Sequence, residues 1–463
     1  FSGVPLLATY TQVFMPAMGG FIISYFPLFL TGAIFGSLIS ATGYARDIAH
    51  WLARLIGPSK AIFITVLATS LLTYGGVSAW VVIFSIFPIA TALFREADIP
   101  RRLMPASVML GLFTFGLATL PGTPQIHNTM PGQYFGTNTF AAPILSILST
   151  CVLFGLGMAW LTYRQRVLKA AGESYFDTTV MEQREAEKLK ARVGGGGGAD
   201  ADDPDSTPSA PVLLTDTPDD DAPAVDDAHI HRRGILGLLP IIVVTAMNAL
   251  ATYVIIPGMD TSYLAEEKYG ATSVDSLVSI WSVIIALVAG ILWMLAFKFK
   301  DITALVKTLS EGAQRAVVPC TITASEVGYG AVIASLAAFA FVRDGLSAIS
   351  ENALVTGVLS VAGVSGITGS ASGGLAISLD TFGAELATAA TQQGIDMEIM
   401  HRVLAMASTS FDSLPHNGAM LTVLLVCGLT HREAYKDIFV VSVIIPIIGV
   451  LFAASLGLTV GAF

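Results

Sequence analysis

Long apolar stretches, each broken at a few places by glycine or proline and a short polar run, set the layout of this 463-residue chain. Segments 20–42, 139–163, 234–257, 276–297 and 438–461 each reach the roughly 20 apolar residues that a helix needs to cross a bilayer. Other apolar stretches are interrupted in a repeated order. Gly75-Gly76 divides one stretch and Leu120-Pro121 breaks the next, and in the second half Gly373-Gly374 and Leu414-Pro415 do the same. The second glycine precedes the proline by 45 residues in one half and by 41 in the other. Paired interruptions at corresponding places in two halves point to the binding site of a transporter built from repeats.

Basic residues favour the cytoplasmic side, so their placement predicts sidedness. Segment 61–94 follows Arg46, Arg54 and Lys60 and ends at Arg95, Arg101 and Arg102. Both of its ends therefore lie on one side, and its arms, 61–73 and 77–94, form a re-entrant hairpin around Gly75-Gly76. A second hairpin is predicted over about 352–392. Its flanks carry Asp344, Glu351, Asp396 and Glu398, with Arg343 and Arg402 as the basic residues. This contrast places the two hairpins on opposite faces. The predicted fold is an all-α polytopic membrane protein of two inverted-topology repeats, each with a re-entrant helical hairpin and a broken transmembrane helix. Residues 1–170 form the first repeat and 234–463 the second. Between them, 171–233 is rich in Gly, Pro and Asp and reads as an acidic disordered cytoplasmic linker, with MEQREAEKLKAR as a short solvated helix at its start. In the second half, 301–315 reads as a surface-lying stretch ahead of a span over 316–342, and 4–18 resembles it in the first. Segments 234–257 and 276–297 have no counterparts in the first half, and position 1 is Phe. The natural chain is therefore expected to begin earlier, with about two more helices.

Composition supports the membrane assignment. The chain is 54% hydrophobic and 13% charged, with a mean hydropathy of +0.71, where a soluble domain carries about 25% charged residues. The net charge of −10 gathers largely in the linker, and the absence of a basic stripe argues against a nucleic-acid partner. Cys151, Cys320 and Cys427 are scattered through apolar stretches and read as core residues, with no disulfide or metal spacing.

Irregular backbone at membrane depth is tolerated where it lines a cavity or is buried in protein. The first hairpin tip presents Thr73, Gly75, Gly76 and Ser78, and the first break, LPGTPQIHNTMPG, presents Gly122, Thr123, Gln125, His127, Asn128 and Thr129. The second tip, ITGSASGG, presents Thr368, Gly369, Ser370, Ser372 and Gly373, and the second break, SFDSLPHNG, presents Asp412, Ser413, His416 and Asn417. Hydroxyls and amides donate hydrogen bonds without the desolvation cost of a charge, and helix N-termini offer N–H groups and a positive dipole end to a carboxylate. None of the four segments contains Lys or Arg. The combination predicts a charge-poor site for a small organic anion. His127, Asp412 and His416 are the candidate proton carriers, because ionisable groups in a membrane are costly and usually functional. Glu326, near the middle of a span, and Asp380, just past the second tip, are further candidates. Ser410, Asp412 and His416 also evoke a hydrolytic triad, but no nucleophile motif surrounds them. A Gly-Gly pair read structurally is a place of close helix contact.

The segments LPGTPQIHNTMPGQYFGT, GSASGG and SLPHNGA resemble those of the gluconate permease (GntP) family of proton/organic-acid symporters, within the wider ion-transporter superfamily. The resemblance covers most of the chain outside the linker. It implies a homodimer in the bacterial inner membrane, with scaffold helices at the dimer contact and a transport body of two hairpins and two broken helices. It also implies proton-driven uptake of a hydroxy acid such as gluconate or 3-hydroxybutyrate, with no cofactor. Gluconate carriers place a glutamate in the first tip, where TYGGVSAW has no carboxylate, and their second break resembles SHVND, whereas SLPHNGA keeps His416-Asn417 and the acid stands at Asp412. A Na⁺-coupled dicarboxylate or citrate carrier is the nearest alternative. An ion channel would show a charge ring or a carbonyl filter, and a membrane-embedded enzyme would need a nucleophile with a matched base.

Overall fold

A computed structural model describes residues 5–177, 227–298, 302–336 and 350–461, together with Gln183. The described residues are almost entirely helical, and none forms a strand. Six helices are long and apolar enough to cross a membrane. α1 (Leu6–Ala41) runs for 36 residues, about 54 Å at 1.5 Å per residue. That exceeds the roughly 30 Å hydrocarbon core, so the helix must tilt or protrude. The expectation of a separate surface stretch over 4–18 is therefore corrected. The chain passes through a π-turn at Tyr10–Phe14 and continues as the same helix.

α2 (Tyr44–Ile56) is amphipathic, burying Tyr44, Ala45, Ile48, Ala49 and Leu52 while exposing Arg46, His50 and Arg54. A helix with one apolar and one basic face suits the membrane interface. α3 (Ala61–Tyr74) and α4 (Ala79–Glu96) pack against each other on either side of Gly75–Ser78. α5 (Leu103–Thr114) ends in a π-turn, and the chain runs irregularly to two short helices, α6 (Ile126–Thr129) and α7 (Pro131–Phe135). α8 (Pro143–Ala170) closes the first half. The linker from 178 to 226 lies outside the described residues apart from Gln183. Helix α9 (Asp227–Leu250) starts within the stretch read as linker.

α10 (Val274–Lys298) and α11 (Ile302–Ala334) follow. Residues 302–315, read from sequence as a surface stretch, are the first turns of α11, which carries Pro319 in its interior. Residues 337–349 lie outside the described set. α12 (Ala353–Thr368) and α13 (Ala371–Gln392) form the second helix pair around Gly369-Ser370. α14 (Met397–Ser408) stops at the second break and α15 (Gly418–Val426) resumes after it. α16 (His431–Val460) is the last span, and it starts seven residues before the predicted 438–461, taking in His431, Arg432 and Lys436. The order of long helix, helix pair, broken helix and closing helix thus occurs in both halves.

The centre of the molecule is formed by the broken helices. Every residue of α5 is buried, as is every residue from Ile399 to Ser408 of α14. The apolar spans surround them and leave large aliphatic side chains such as Ile144, Ile147 and Leu148 of α8 exposed. Such a surface fits lipid. α1 lies along α11, α9 along α10 and α2, and α16 along α8 and α14. The π-turns in α5 and α16 meet: the Thr114 hydroxyl donates to the Val441 carbonyl at 2.6 Å. A π-turn leaves a backbone carbonyl without its usual i+4 donor, and this side chain supplies one.

Candidate substrate and ion site

In the first half, the tip between α3 and α4 is docked on the first break. The Gln125 amide donates to the carbonyls of Thr73 (2.8 Å) and Val77 (3.2 Å), and the Tyr74 hydroxyl donates to the Pro121 carbonyl (3.2 Å). Gly76 has φ +89°, and a Cβ there would lie 2.7 Å from Pro124 Cγ. The sharp turn and the close approach both require glycine. Thr73 and Thr129 return their hydroxyls to the carbonyls of Thr69 and Gln125. Thr123 is buried with its hydroxyl unpaired, and Ser78 opens α4 without a side-chain cap. Asn248 of α9 adds a tether that the sequence reading missed, donating to Gly122 O at 3.0 Å and Thr139 Oγ1 at 3.1 Å.

The second half repeats this arrangement with different residues. The Asn417 amide donates to the Gly369 carbonyl (2.7 Å), joining the break to the tip of the α12–α13 pair. Its carbonyl oxygen accepts from Met420 N, capping α15. Ser370 caps α13 by accepting from Gly373 N at 3.1 Å. Thr368 bonds back to the Val364 carbonyl, and Ser372 lies 3.5 Å from both Ser370 and Thr323. On its other side the break is held by α16, with Tyr435 donating to Ser413 O and His431 Nε2 lying 2.9 Å from Pro415 O.

Arg402 ties the halves together. The sequence reading used it as a basic residue flanking the second hairpin, and the structure places it fully buried in α14. Its guanidinium donates to Ala118 O (2.7 Å), Asn128 Oδ1 (2.6 Å), Thr139 O (3.2 Å) and Ala141 O (3.0 Å). Three of these acceptors are backbone carbonyls in the irregular stretches on either side of the first break's short helices, and the fourth is a side-chain amide oxygen. Five fixed donors on a planar fork can serve several such acceptors together, which an ammonium cannot do. Asn128 completes the knot by donating to Thr123 O and Thr139 O. Asn128 therefore acts as a brace for the break, and its side chain has no free donor for a ligand. His401, also buried, lies 2.7 Å from Thr137 Oγ1, and Glu398 accepts from Ala142 N. The signal for this cluster was available as charged and aromatic-nitrogen residues heading an otherwise apolar stretch before the second break.

The expected proton carriers fall in different surroundings. His127 is buried and its Nδ1 has no partner. Asp412 is buried and accepts from the Ser413 hydroxyl at 2.9 Å. His416 is exposed beside Gly369. Glu326 faces the second tip, and Asp380 accepts from the Tyr134 hydroxyl of α7. Among the described residues, no group of three or more His, Cys, Asp or Glu side chains is placed to hold a metal ion.

Six membrane-length helices around two clasped breaks define a polytopic membrane transporter. The chain belongs to the family of a Bacillus subtilis (strain 168) protein named as the uncharacterized transporter YxjC. The two are 38% identical over 445 residues, which cover 95% of this chain and 87% of the relative. A second relative, named as an uncharacterized transporter of Haemophilus influenzae, is 25% identical over 156 residues, a third of each chain. No family model matches the chain. Among solved structures, the Alcanivorax borkumensis YdaH transporter, described as having an unusual topology, superposes with a TM-score of 0.54 at 16% identity. The match covers 98% of this chain and 89% of that one, and it speaks to the fold alone.

Proposed function

We propose that the protein is a secondary active transporter that imports a small organic hydroxycarboxylate, such as gluconate or 3-hydroxybutyrate, by proton symport. It works as a homodimer in the bacterial inner membrane. The observation that carries this reading is the clasp of each helix-pair tip onto the break of its own half, through Gln125 and Asn417. Each clasp leaves polar backbone and hydroxyls in an apolar surround with no free guanidinium, since the Arg402 donors serve carbonyls and Asn128. A carboxylate would then be held by amides, hydroxyls and helix N-termini. The resemblance of the breaks to gluconate permeases supports the substrate class, and the buried His127 and Asp412 suit proton transfer better than the exposed His416. Movement of the two helix pairs and broken helices as one body against α1, α9, α10 and α11 would give elevator-like alternating access.

Uptake of labelled hydroxy acids, dicarboxylates and citrate into proteoliposomes tests this, with pH and Na⁺ gradients imposed separately. Hydroxy-acid uptake that rises with an inward proton gradient is expected. Uptake indifferent to both gradients contradicts symport. A Na⁺-driven dicarboxylate carrier is the second reading, favoured by the hydroxyl-rich tip of Thr368, Ser370 and Ser372.

A further inference from the structure

Glu326 lies on α11, outside all four polar segments, and faces the second tip. A Cβ added to Gly373 would overlap Glu326 Oε2, so glycine at 373 is what lets the carboxyl approach the start of α13. Oε2 is shut off from solvent and has no hydrogen-bond partner. The Ser370 hydroxyl interacts with the carboxyl, and Ser372 lies 3.5 Å from both Ser370 and Thr323, so further hydroxyls adjoin the one beside it. No ion pair to Glu326 forms among the described residues. The elements packed against α11 are α1, its π-turn and α13. The titratable groups they carry are Tyr10, Tyr25, Asp380 and Glu385. Tyr25 donates to Gln133, Asp380 accepts from Tyr134, and Tyr10 and Glu385 are exposed. On α11 itself Lys307 and Arg315 lie beside Glu311, and His416 stands at Gly369 of the tip, so among the described residues Glu326 has no basic partner in an ion pair.

We infer that Glu326 binds the coupling cation, a proton or Na⁺, at the junction of α11 with the second tip. An isolated carboxylate at membrane depth is costly and usually marks an ion pathway. A carboxylate with the Ser370 hydroxyl beside it supplies hard oxygens, which suit either cation. In the proton case an O–H bond forms at Oε2 on loading and breaks on release, with water on either side as the proton source and sink. In the Na⁺ case the hydroxyls complete the shell. Because α11 packs along α13 from Gly373 to Ile377, loading neutralises the charge at a contact that must slide if the helix pairs move. The inference extends the proposed symport and names a coupling residue besides His127 and Asp412.

Thermal melting of the purified full chain tests it without any substrate, so it stands or falls separately from the uptake assay. Melting temperature is recorded against pH in Na⁺-free buffer and against Na⁺ at fixed pH, for the wild type and Glu326→Gln. The wild type should gain stability on acidification or on Na⁺ addition, and Glu326→Gln should lose that gain. A response to pH alone identifies the proton, and a response to Na⁺ alone identifies sodium. Wild-type and Glu326→Gln curves that run parallel under both titrations overturn the inference, as does a wild type that responds to neither. Should Glu326→Gln not fold, Glu326→Asp decides, because it keeps the carboxyl but withdraws it from Ser370. A shifted midpoint supports the site, and an unchanged midpoint overturns it.

Discussion

At the scale of single residues, the polar groups of the breaks were legible because Gly, Pro, His and Asn stand out against apolar neighbours. Their division of labour was not. Gln125, Asn128 and Asn417 looked alike as possible ligand donors, yet Asn128 spends its whole amide on Arg402, Thr123 and Thr139. Arg402 itself was counted as a flanking residue, because a charge near a span end resembles a flank unless its distant partners are known. Ala118 and Asn128 lie more than 250 positions away. Replacing Arg402 with alanine leaves Ala118 O and Asn128 Oδ1 unpaired and takes one donor each from Thr139 O and Ala141 O. Each such loss costs about 1–3 kcal/mol, so Arg402→Ala should lower stability by several of these increments. Arg402→Lys should recover only part, because an ammonium cannot span the fork. Melting temperatures of the two purified variants check this, and a lysine variant as stable as wild type would show that charge alone suffices.

At the scale of elements, the spans were read well, and the errors came from charges and prolines inside helices. Lys307, Glu311 and Arg315 made 301–315 look like a surface stretch, but Lys307 and Arg315 lie within 4.0 Å of Glu311 along one exposed face of α11. The apolar face of α2 was missed because its basic residues were counted as loop charges, although Ile48 and Leu52 keep helical spacing. One connection also carries a pH signature. Asp98, in the turn after α4, accepts from the Ser174 hydroxyl (2.6 Å) and the Tyr175 N–H (2.9 Å) beyond α8, and these bonds hold its carboxyl below the ordinary carboxylate range. A depressed carboxyl contributes stability above its unfolded value and loses it as pH falls through the folded one. The turn at 173–176 should therefore loosen below the ordinary carboxylate range and in Asp98→Asn at any pH. Hydrogen exchange at Tyr175, corrected for intrinsic rates, reads this. Equal protection in Asp98→Asn and wild type at neutral pH would contradict it.

At the scale of the whole molecule, the two clasps and the Arg402 knot give the broken helices a buried polar centre ringed by apolar spans. This is the arrangement expected where irregular backbone must survive in lipid. The repeated order of elements was visible from the spacing of glycines and prolines, because backbone breaks are written in local sequence. The contact between the halves was not, because it depends on which side chain of α14 meets the first break. If the clasps form the transport site, breaking either one should cost transport more than it costs folding. The most direct measurement is the initial rate of proton-gradient-driven uptake of labelled gluconate or 3-hydroxybutyrate into proteoliposomes. It compares wild type with Gln125→Ala and Asn417→Ala, each verified as folded by its melting curve. The account predicts gradient-dependent uptake by the wild type and a drop of about tenfold or more in each variant, roughly the loss of one buried hydrogen-bonding group. Wild-type uptake that ignores the gradient, or two variants that transport at the wild-type rate, would contradict it.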